Sequence, residues 1–408
     1  MGKKYQLKIH QSITEISPKD WNSLVTPDTV PFLEWEWLAA LEESGSVSPD
    51  TGWHPLHICL WDEDRLAAKP RLAAAAPLYL RTSSDGEYIY DYFWAEAAGT
   101  MGRSWYPKMV GAPATTPAEG YRFLAAPGTD LAGVSDALLK AAETLCRQSK
   151  IASLNLLWVD PAWANILPGL GYTAWDHSHY LWENRNFTGF DDYLSVFSKN
   201  QRKNIRKEYS RHIEQGISVR VVPGEEADES YYRRMFELFT ITNDKFIPWD
   251  ARWVNEDFFL RLEKSCRATT AFVEARRDSS GETVAMAFLV HKGDRVWGRF
   301  WGAYEDVHDL HFAVCYYAPI DWCIQNHIRY FDPGAGSPHK IRRGFRAMRN
   351  RSWHKFFDPH LERLFRENIR AVNRQEAAHL EALNAELPFR EGGGDVPERG
   401  SENRISGH

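Results

Sequence analysis

The 408-residue chain is poor in cysteine and has no long apolar run. Its five cysteines, Cys59, Cys146, Cys266, Cys315 and Cys323, are scattered, with no Cys-x-x-Cys pair and no zinc-binding spacing to histidine. An odd, dispersed set of cysteines is typical of a reducing compartment. No stretch of about 18 apolar residues is present, and the N-terminal sequence does not resemble a signal peptide. We therefore expect a cytoplasmic protein with no transmembrane segment and no metal site.

An excess of positive charge and several common catalytic motifs are also missing. The formal net charge is −6, which argues against a protein that coats nucleic acid, so we expect no DNA partner. No Gly-x-Ser-x-Gly, His-Glu-x-x-His or Walker sequence occurs, which argues against the corresponding hydrolase, metalloprotease and nucleotide-phosphate sites. Tryptophan, by contrast, is abundant at 17 residues, which either build cores or line a groove for a large ligand.

Hydrophobic periodicity predicts one order of elements used twice: helix, antiparallel strands, helix, strand, short helix and final strand. In the first half, strands are predicted over 57–61, 72–80, 152–159 and 172–182, and a helix over 131–149. In the second half, strands are predicted over 270–275, 284–291, 296–304, 328–331 and 345–357, and a helix over 309–326. This order resembles the GNAT acyltransferase fold. We predict an α/β (α+β) fold of two tandem GNAT-like domains with mixed sheets, over 1–185 and 186–358, a C-terminal helix over 359–390 and a disordered tail over 391–408.

The segment 332–345 contains the most informative candidate site. Its glycines let the backbone approach a ligand, and Ser337 followed by proline is typical of a helix start. The basic residues that follow oppose the helix dipole unless an anion binds there. The alternative is a tight turn with solvated arginines. The ligand contacts predicted in this segment are Gly334, Ala335, Gly336, Lys340 and Arg343.

A second basic feature precedes the strands of the second half. Lys199, Lys203, Lys207 and Arg211 lie four residues apart, and Arg202 and Arg206 form a parallel row. Each like-charge pair at this spacing costs about 0.2–0.5 kcal/mol on a helix. A phosphorylated partner, or acidic residues of the neighbouring half, would offset this cost, so Arg202 and Arg206 are predicted phosphate contacts. The alternative is a solvated helix with Ile205 and Tyr209 turned inward.

Acyl transfer to an amine needs a base or water path for the amine proton, together with donors for the oxyanion. The Arg/Gln-x-x-Gly-x-Gly/Ala loop that binds acyl-CoA in simple GNAT enzymes is absent, and residues 301–312 stand in its place. Glu305, Asp306, His308 and His311 are candidate bases in this stretch. Tyr316 or Tyr317 could protonate a leaving group, and Cys315 is either a nucleophile or a packing residue.

Several short motifs together point to one family. In the first half they are Pro31-Phe32, Gly52-Trp53-His54-Pro55, Tyr106-Pro107-Lys108 and Gly120-Tyr121-Arg122. In the second half they are residues 201–207, Gly298-Arg299-Phe300-Trp301-Gly302, His311-Phe312, Cys315-Tyr316-Tyr317, Gly334-Ala335, His339-Lys340 and Arg343-Gly344. Over about residues 31–359 the chain resembles the FemAB-like N-acyltransferases, a group described as peptidoglycan biosynthesis or recognition proteins.

The resemblance implies a tandem GNAT fold with a substrate cleft between or beside the halves. Better-understood relatives transfer amino acids from aminoacyl-tRNA to the amine of a peptidoglycan precursor. By that resemblance we expect an N-acyltransferase or aminoacyltransferase without a permanently bound cofactor, whose donor is aminoacyl-tRNA or acyl-CoA. The expected acceptor is a small molecule or cell-wall precursor, and tRNA is a possible partner as donor. Lys108, Arg122 and Arg299 become candidate substrate contacts.

The chain departs from the family pattern near the expected centre. Ala313 stands where members commonly have an acid after His-Phe, and residues 336–338 replace a Gln-Gly-Glu sequence. The remaining candidate bases are His311, His339 and Asp332, with Tyr317 as the candidate acid. The departures also leave open a non-catalytic GNAT-fold protein that recognises a phosphorylated cell-wall precursor.

Overall fold

A computed structural model describes residues 5–62, 70–247, 251–390 and 392–393. Apart from Gly392 and Gly393, the tail predicted over 391–408 lies outside the described residues. The first half contains strands β1 (Tyr5–His10), β2 (Trp53–Pro55), β3 (His57–Asp62), β4 (Arg71–Ala76), β5 (Tyr79–Arg81), β6 (Lys108–Gly111), β7 (Leu124–Ala125), β8 (Ser153–Leu156) and β9 (Thr173–Glu183). Its α-helices are α1 (Pro18–Asn22), α2 (Trp35–Glu43), α3 (Tyr92–Thr100) and α4 (Leu131–Gln148).

The second half contains strands β10 (Ile217–Pro223), β11 (Thr270–Arg277), β12 (Thr283–Lys292), β13 (Arg295–Ala303), β14 (Tyr330–Asp332) and β15 (Arg346–Phe356). Its helices are α5 (Phe190–Ser195), α6 (Lys199–Glu214), α7 (Glu229–Asp244), α8 (Glu256–Ser265), α9 (Leu310–Phe312), α10 (Ala318–Gln325) and α11 (Pro359–Ala385), with a π-helical turn, Ala313–Tyr317, between α9 and α10. Short 3-10 helices cover Ile13–Glu15, Pro31–Leu33, Pro49–Thr51, Trp163–Ile166, Pro168–Leu170, Arg267–Thr269 and Pro338–Arg343.

The final strands of the two halves are exchanged within one sheet. Eleven strands of the described chain lie in the order β10-β11-β12-β13-β14-β9-β15-β8-β6-β5-β2. Strand β9 of the first half pairs with β14, and β15 of the second half lies antiparallel between β8 and β9. Four further strands form a separate sheet in the order β1-β3-β4-β7. The domain boundary near residue 185 stays a prediction, because each half completes the sheet of the other.

The sequence pattern correctly predicted the long elements. Helix α4 and the meander β11-β12-β13 lie where the periodicity placed them. The two predicted glycine-aromatic junctions are also alike, because Gly171 and Gly344 both adopt a left-handed conformation, with φ of 84° and 77°. Glycine meets that requirement at little steric cost. These features agree with a fold built from two GNAT-like halves.

Two local predictions differ from the structure. The strand predicted over 72–80 is broken at Pro77 into β4 and β5, which belong to different sheets. Proline has no N–H for a ladder hydrogen bond, so a strand breaks readily there. Helix α3 was not predicted, and its buried Trp94 packs on Trp105 and Phe365 from distant parts of the chain. Such tertiary packing stabilises a helix that its own sequence supports weakly.

A buried chain of polar side chains joins the exchanged strands. Asn155 on β8 donates through Nδ2 to the Met109 carbonyl (3.2 Å), so its Oδ1 accepts from His354 Nδ1 (2.7 Å) on β15. His354 Nε2 then accepts from Ser352 Oγ (2.7 Å), which in turn accepts from His177 Nε2 (2.7 Å) on β9. A neutral histidine has one donor and one acceptor. The bond from Ser352 therefore requires a neutral His354, whose pKa burial lowers well below its usual value, whereas His177 donates through Nε2 in either protonation state.

Acidification should therefore destabilise the fold. Burial lowers the pKa of His177 to about 3, against about 6.5 in an unfolded chain. Between these values the unfolded state binds more protons, so the free energy of unfolding falls as the pH falls from about 6.5. Urea unfolding at several pH values measures this slope. The variant His177→Gln keeps an N–H donor but cannot titrate, and we expect a shallower slope; an unchanged slope would contradict the assignment.

Candidate functional site

A cavity lies where β13 and β14 separate. These parallel strands are paired only at Arg295–Trp297 with Tyr330–Asp332, and beyond that point their backbones leave a space of about 330 Å³. The π-helical turn and the preceding α9 line another side, and the first half supplies part of the wall. The lining residues are Tyr88, Thr115, Pro117, Ala287, Leu289, Gly298, Arg299, Phe300, Trp301, His311, Cys315, Tyr316, Pro333, Gly334, Ala335, Gly336, Ser337, His339 and Lys340.

Two buried cations border this cavity. The Arg299 side chain is 2% exposed and donates to the Gly298 carbonyl (2.8 Å) and, over 3.4 Å, to Asp332. Its Nε has no hydrogen-bond partner within the described protein. Lys340 donates to the Gly334 (2.8 Å) and Ala335 (2.7 Å) carbonyls. An unpaired buried N–H is costly, so the Arg299 guanidinium is suited to hold an anion or a polarised carbonyl oxygen.

Burial is the main cause that lowers the pKa of Lys340 to about 8; Asp332 opposes this shift and Arg299 adds to it. Burial likewise lowers the pKa of Arg299. Asp332 does not line the cavity: its Oδ1 accepts from the Gly334 N–H (2.8 Å) and its Oδ2 faces Arg299. Its structural place is therefore behind the glycine segment, where it stabilises the loop and one cation.

Two neutral histidines stand on the same cavity. Burial, with the electrostatic effect of the neighbouring His339 and the positive charges of Arg343 and Lys340, lowers the pKa of His311 to about 3. Burial and the charges of Arg343 and Lys340 lower the pKa of His339 to about 4. The two rings lie 6.2 Å apart. Both imidazoles are therefore unprotonated near neutral pH and each has a nitrogen able to accept a proton.

The π-helical turn decides which aromatic residues face the cavity. In a π turn residues five apart come onto one face, and the Tyr316 ring lies 5.4 Å from His311. The Tyr316 hydroxyl is 3.1 Å from His339 Nε2, and Cys315 Sγ is 3.4 Å from His311 Nδ1. Burial raises the pKa of Cys315 well above its usual range, which favours the neutral thiol. Tyr316, rather than Tyr317, is the phenol at the cavity.

Two other predicted residues lie behind this wall. The Tyr317 hydroxyl donates to Glu208 on α6, away from the lining. Arg343 also donates to Glu208 (2.7 Å) and to the His339 carbonyl (2.8 Å), and its guanidinium stacks 3.4 Å from the centre of the Phe312 ring. Because both groups are engaged by a carboxylate, their contribution in this structure is to hold His339 and the helix in position.

Four predicted basic contacts lie elsewhere. Lys108 is 2% exposed and donates to Glu87 (2.7 Å) and Asp91 (2.5 Å), so the predicted substrate contact is a buried ion partner outside the cavity lining. Arg122 donates to the hydroxyls of Thr26 (2.8 Å) and Thr29 (3.1 Å) beside a separate cavity.

The remaining pair lies on α6. Arg202 is half-buried, and Arg206 is exposed and forms an ion pair with Asp191 (2.9 Å). Lys199, Lys203 and Lys207 of the same helix are exposed, while Ile205 is buried. The basic stripe therefore faces solvent rather than the cavity.

Sequence reasoning missed the first-half side of the cavity. Tyr88 and Thr115 lie in segments with no motif, and both are far in the sequence from the second-half lining, which begins at Ala287. Both have a positive φ, 57° and 56°, which is uncommon for residues other than glycine. Only the exchange of the final strands brings Tyr88 and Thr115 to the site, and no local sequence pattern predicts that exchange.

The matching position in the first half is filled. Strands β6 and β8 are also parallel neighbours, but Tyr121 packs against the end of β6 and donates to the Pro77 carbonyl (2.7 Å). A Cβ built on Gly111 would lie 2.2 Å from the Tyr121 hydroxyl oxygen, so the side chain occupies that space. The first half thus supports a site in the second half instead of repeating it.

Within the described ranges, no group of three or more His, Cys, Asp and Glu side chains is placed to hold a metal ion. In the same part of the chain, no helix combines the length and apolar character needed to cross a membrane.

The fold is that of a tandem GNAT-like protein, and the cavity described above lies in its second half. A family model described as peptidoglycan biosynthesis/recognition, FemAB-like, matches residues 12–391. The chain belongs to the FemAB-like family. None of the curated protein sequences compared with it matches.

Several solved structures are similar to the chain. FemX is similar, with a TM-score of 0.51 and 11% identity over 90% of this chain and 100% of FemX. L-PGS from Bacillus licheniformis has a TM-score of 0.46 and 10% sequence identity, over 86% of this chain and 96% of L-PGS. A tandem GNAT protein from the clavulanic acid biosynthesis pathway has a TM-score of 0.44 and 12% sequence identity, over 87% of this chain and 99% of that protein. At this identity the likeness to FemX shows a shared fold.

The pKa of Lys340 predicts a pH-dependent anion affinity. Below pH 8 the amine is charged, and above it the charge is lost. Binding of inorganic pyrophosphate, followed calorimetrically, should weaken about tenfold between pH 7 and 9.5, as expected when one charged contact is lost. Lys340→Met should bind weakly at both pH values, while Lys264→Met, on an exposed helix position, should behave as the wild type. Equal affinity of Lys340→Met and wild type at pH 7 would refute the role.

Proposed function

We propose that the protein transfers an acyl or aminoacyl group to the amine of a peptidoglycan precursor. The observation that carries this proposal is the cavity in which two buried cations face two neutral histidines, with no carboxylate among its lining residues. Membership of a peptidoglycan biosynthesis/recognition family supports the choice of acceptor. The bond formed is an amide, and the bond broken joins the acyl carbon to the donor oxygen or sulfur.

The first requirement of this reaction is a neutral amine. A cavity bordered by buried cations disfavours an ammonium group, and so lowers the pKa of an entering amine. His311 or His339 then accepts the remaining proton as the nitrogen attacks, because each imidazole is neutral at pH 7. Their low pKa values make them weak bases, so proton transfer accompanies bond formation rather than preceding it.

The second requirement is stabilisation of the oxyanion. Arg299 lines this cavity and has a buried Nε without a hydrogen-bond partner among the described residues, and Lys340, from the segment after β14, adds a second charge to the lining. In a site shielded from water such donors act most strongly on the charge that develops in the transition state. The proton taken from the amine returns to the leaving oxygen or sulfur, and the Tyr316 hydroxyl, next to His339, provides a path for it.

Contacts at the start of α9 favour aminoacyl-tRNA over acyl-CoA as donor. Simple GNAT enzymes bind the CoA pyrophosphate at the corresponding helix start with a glycine-rich loop. Here Asp309 precedes α9 and forms an ion pair with Arg211, and Gln215 donates to the His308 carbonyl (3.3 Å). Helix α6 therefore covers the start of α9. Its lysines point outward to solvent, where the phosphate backbone of a tRNA can approach them.

A non-catalytic binding protein is the second candidate. The missing carboxylate and the low pKa values of both histidines favour it, because they weaken proton abstraction while leaving the cationic wall intact. The two functions predict different effects of the same substitution. In an enzyme, His339→Gln would lower turnover by about 100-fold and leave ligand affinity unchanged, whereas a binding protein has no turnover to lose.

Transfer itself is tested with radiolabelled aminoacyl-tRNA or acyl-CoA and UDP-N-acetylmuramoyl-pentapeptide. Removing either histidine should reduce kcat by about 100-fold, the usual contribution of a general base, if that histidine takes the proton. Since a base works in its unprotonated form, the acidic limb of the rate profile should lie near pH 3–4 rather than near 6.5. His308→Gln, which changes an exposed ring outside the lining, is the control. Absence of transfer from every donor would reject the enzyme.

The donor preference is tested on α6. Reversing the charges of Lys203 and Lys207 to glutamate should raise the KM for aminoacyl-tRNA about tenfold at 50 mM salt, because phosphate contacts depend steeply on ionic strength. The difference should shrink at 300 mM salt, and the KM for the acceptor should stay constant. Lys140→Glu, on exposed α4, is the matched control. A donor KM unaffected by the double variant would contradict a nucleic-acid contact here.

A further inference from the structure

The first half contributes a strained wall to the cavity. Among the described residues, seven other than glycine have a positive φ, and two of them, Tyr88 and Thr115, line this one cavity. Threonine is β-branched, and such residues adopt this conformation only where the surrounding structure enforces it. Backbone strain of about 1–3 kcal/mol per residue concentrates at functional sites. The strain at Tyr88 and Thr115 therefore calls for a cause beyond folding.

A buried ion cluster holds the segment that carries Tyr88. Lys108 on β6 donates to Glu87 and to Asp91, which stand on either side of Tyr88 in the chain. Arg81 donates to Glu87 (3.3 Å), and Trp158 Nε1 donates to the Glu87 carbonyl (2.9 Å). The side chains of Lys108, Glu87 and Arg81 are at most 2% exposed. These buried hydrogen bonds and ion pairs restrict residues 87–91 to one conformation.

Tyr88 lines the same cavity as Arg299, the cation proposed to hold the oxyanion. Burial raises the pKa of its phenol, and the charge of Arg299 opposes that rise, so the two groups lie within electrostatic reach. Tyr88 and Thr115 present neutral hydroxyls, whereas the second-half wall presents charge. Neutral hydroxyls suit the amide and hydroxyl groups of an acceptor better than the phosphates of a donor.

We propose that Tyr88 and Thr115 form the acceptor-selecting wall of the site, and that Lys108 is a positioning residue that acts through Tyr88. This inference rests on the proposed function for its assignment of the ligand as the acceptor. The Lys108 amine is already shared by the carboxylates of Glu87 and Asp91, so it is not available to contact a ligand. Its proposed role is therefore to hold Tyr88 in position.

Binding and turnover are measured separately to test it. Calorimetry without donor gives the Kd of UDP-N-acetylmuramoyl-pentapeptide, and the transfer assay gives KM for donor and acceptor. For Tyr88→Phe we expect the acceptor Kd to rise about threefold to tenfold, the effect of one hydrogen bond, with the donor KM unchanged. A shift in the donor KM alone, or no shift in either constant, overturns the proposal.

Strain supplies the matched control. Asparagine tolerates the left-handed conformation, so Tyr88→Asn keeps the backbone at this position while it removes the phenol, and we expect it to weaken acceptor binding. His327 has a φ of 54° and an exposed side chain outside the lining, so His327→Asn should leave acceptor binding unchanged. If the two variants leave acceptor affinity equally intact, the strain has no link to ligand selection.

The positioning role of Lys108 is tested by coupling. Lys108→Met should raise the acceptor Kd as Tyr88→Phe does, and Lys108→Arg should restore part of the affinity. In the double variant the two effects should be less than additive, because both act through one phenol; additive effects overturn the positioning role. If no donor supports transfer but Tyr88→Phe still weakens the acceptor, the proposed function fails and the wall stands. If transfer proceeds and the Kd does not move, the wall fails alone.

Discussion

The pairing of β15 between β8 and β9 is the constraint on which the rest of the structure depends. Nine residue pairs join β15 to β9, from Arg346 with Leu181 to His354 with Thr173. A one-residue slip would turn every side chain of β15 to the opposite face, and the buried line of His177, Ser352 and His354 could then not form. The polar chain thus specifies register at the place where the halves are exchanged, and it fixes the first-half wall relative to the second-half cavity.

The cavity is governed by an excess of buried positive charge. Arg299 and Lys340 are shared between backbone carbonyls and the single carboxylate of Asp332. Burying charge without full pairing opposes folding, and the lowered pKa values of Lys340 and both histidines are consequences of that opposition. A bound anion or oxyanion relieves it. The incompletely paired charges of Arg299 and Lys340 therefore lower the stability of the fold, and they also provide the cavity's affinity for an anion and its capacity to stabilise a transition state.

The sequence identified much of this site and left its other side unseen. Gly334, Lys340, His339 and His311 were predicted from local pattern or family motif, and the structure brings them together. Tyr317 was preferred as the acid, but the π turn brings Tyr316 to the cavity, and helical spacing of 3.6 residues gives no sign of that turn. Lys108 was predicted as a substrate contact, and its burial was missed because its partners, Glu87 and Asp91, lie in a segment without regular periodicity. Tyr88 and Thr115 reach the site only through the strand exchange, which no local pattern encodes.

A crystal structure with a hydrolysis-resistant phosphonate analogue of the tetrahedral intermediate would show whether Arg299 and Lys340 hold the developing oxyanion. We expect a phosphonate oxygen within about 3 Å of the Arg299 guanidinium and a second oxygen on Lys340, with the analogue's amine-side group against Tyr88. An analogue bound elsewhere, or bound in this cavity without a contact to Arg299, would contradict this assignment.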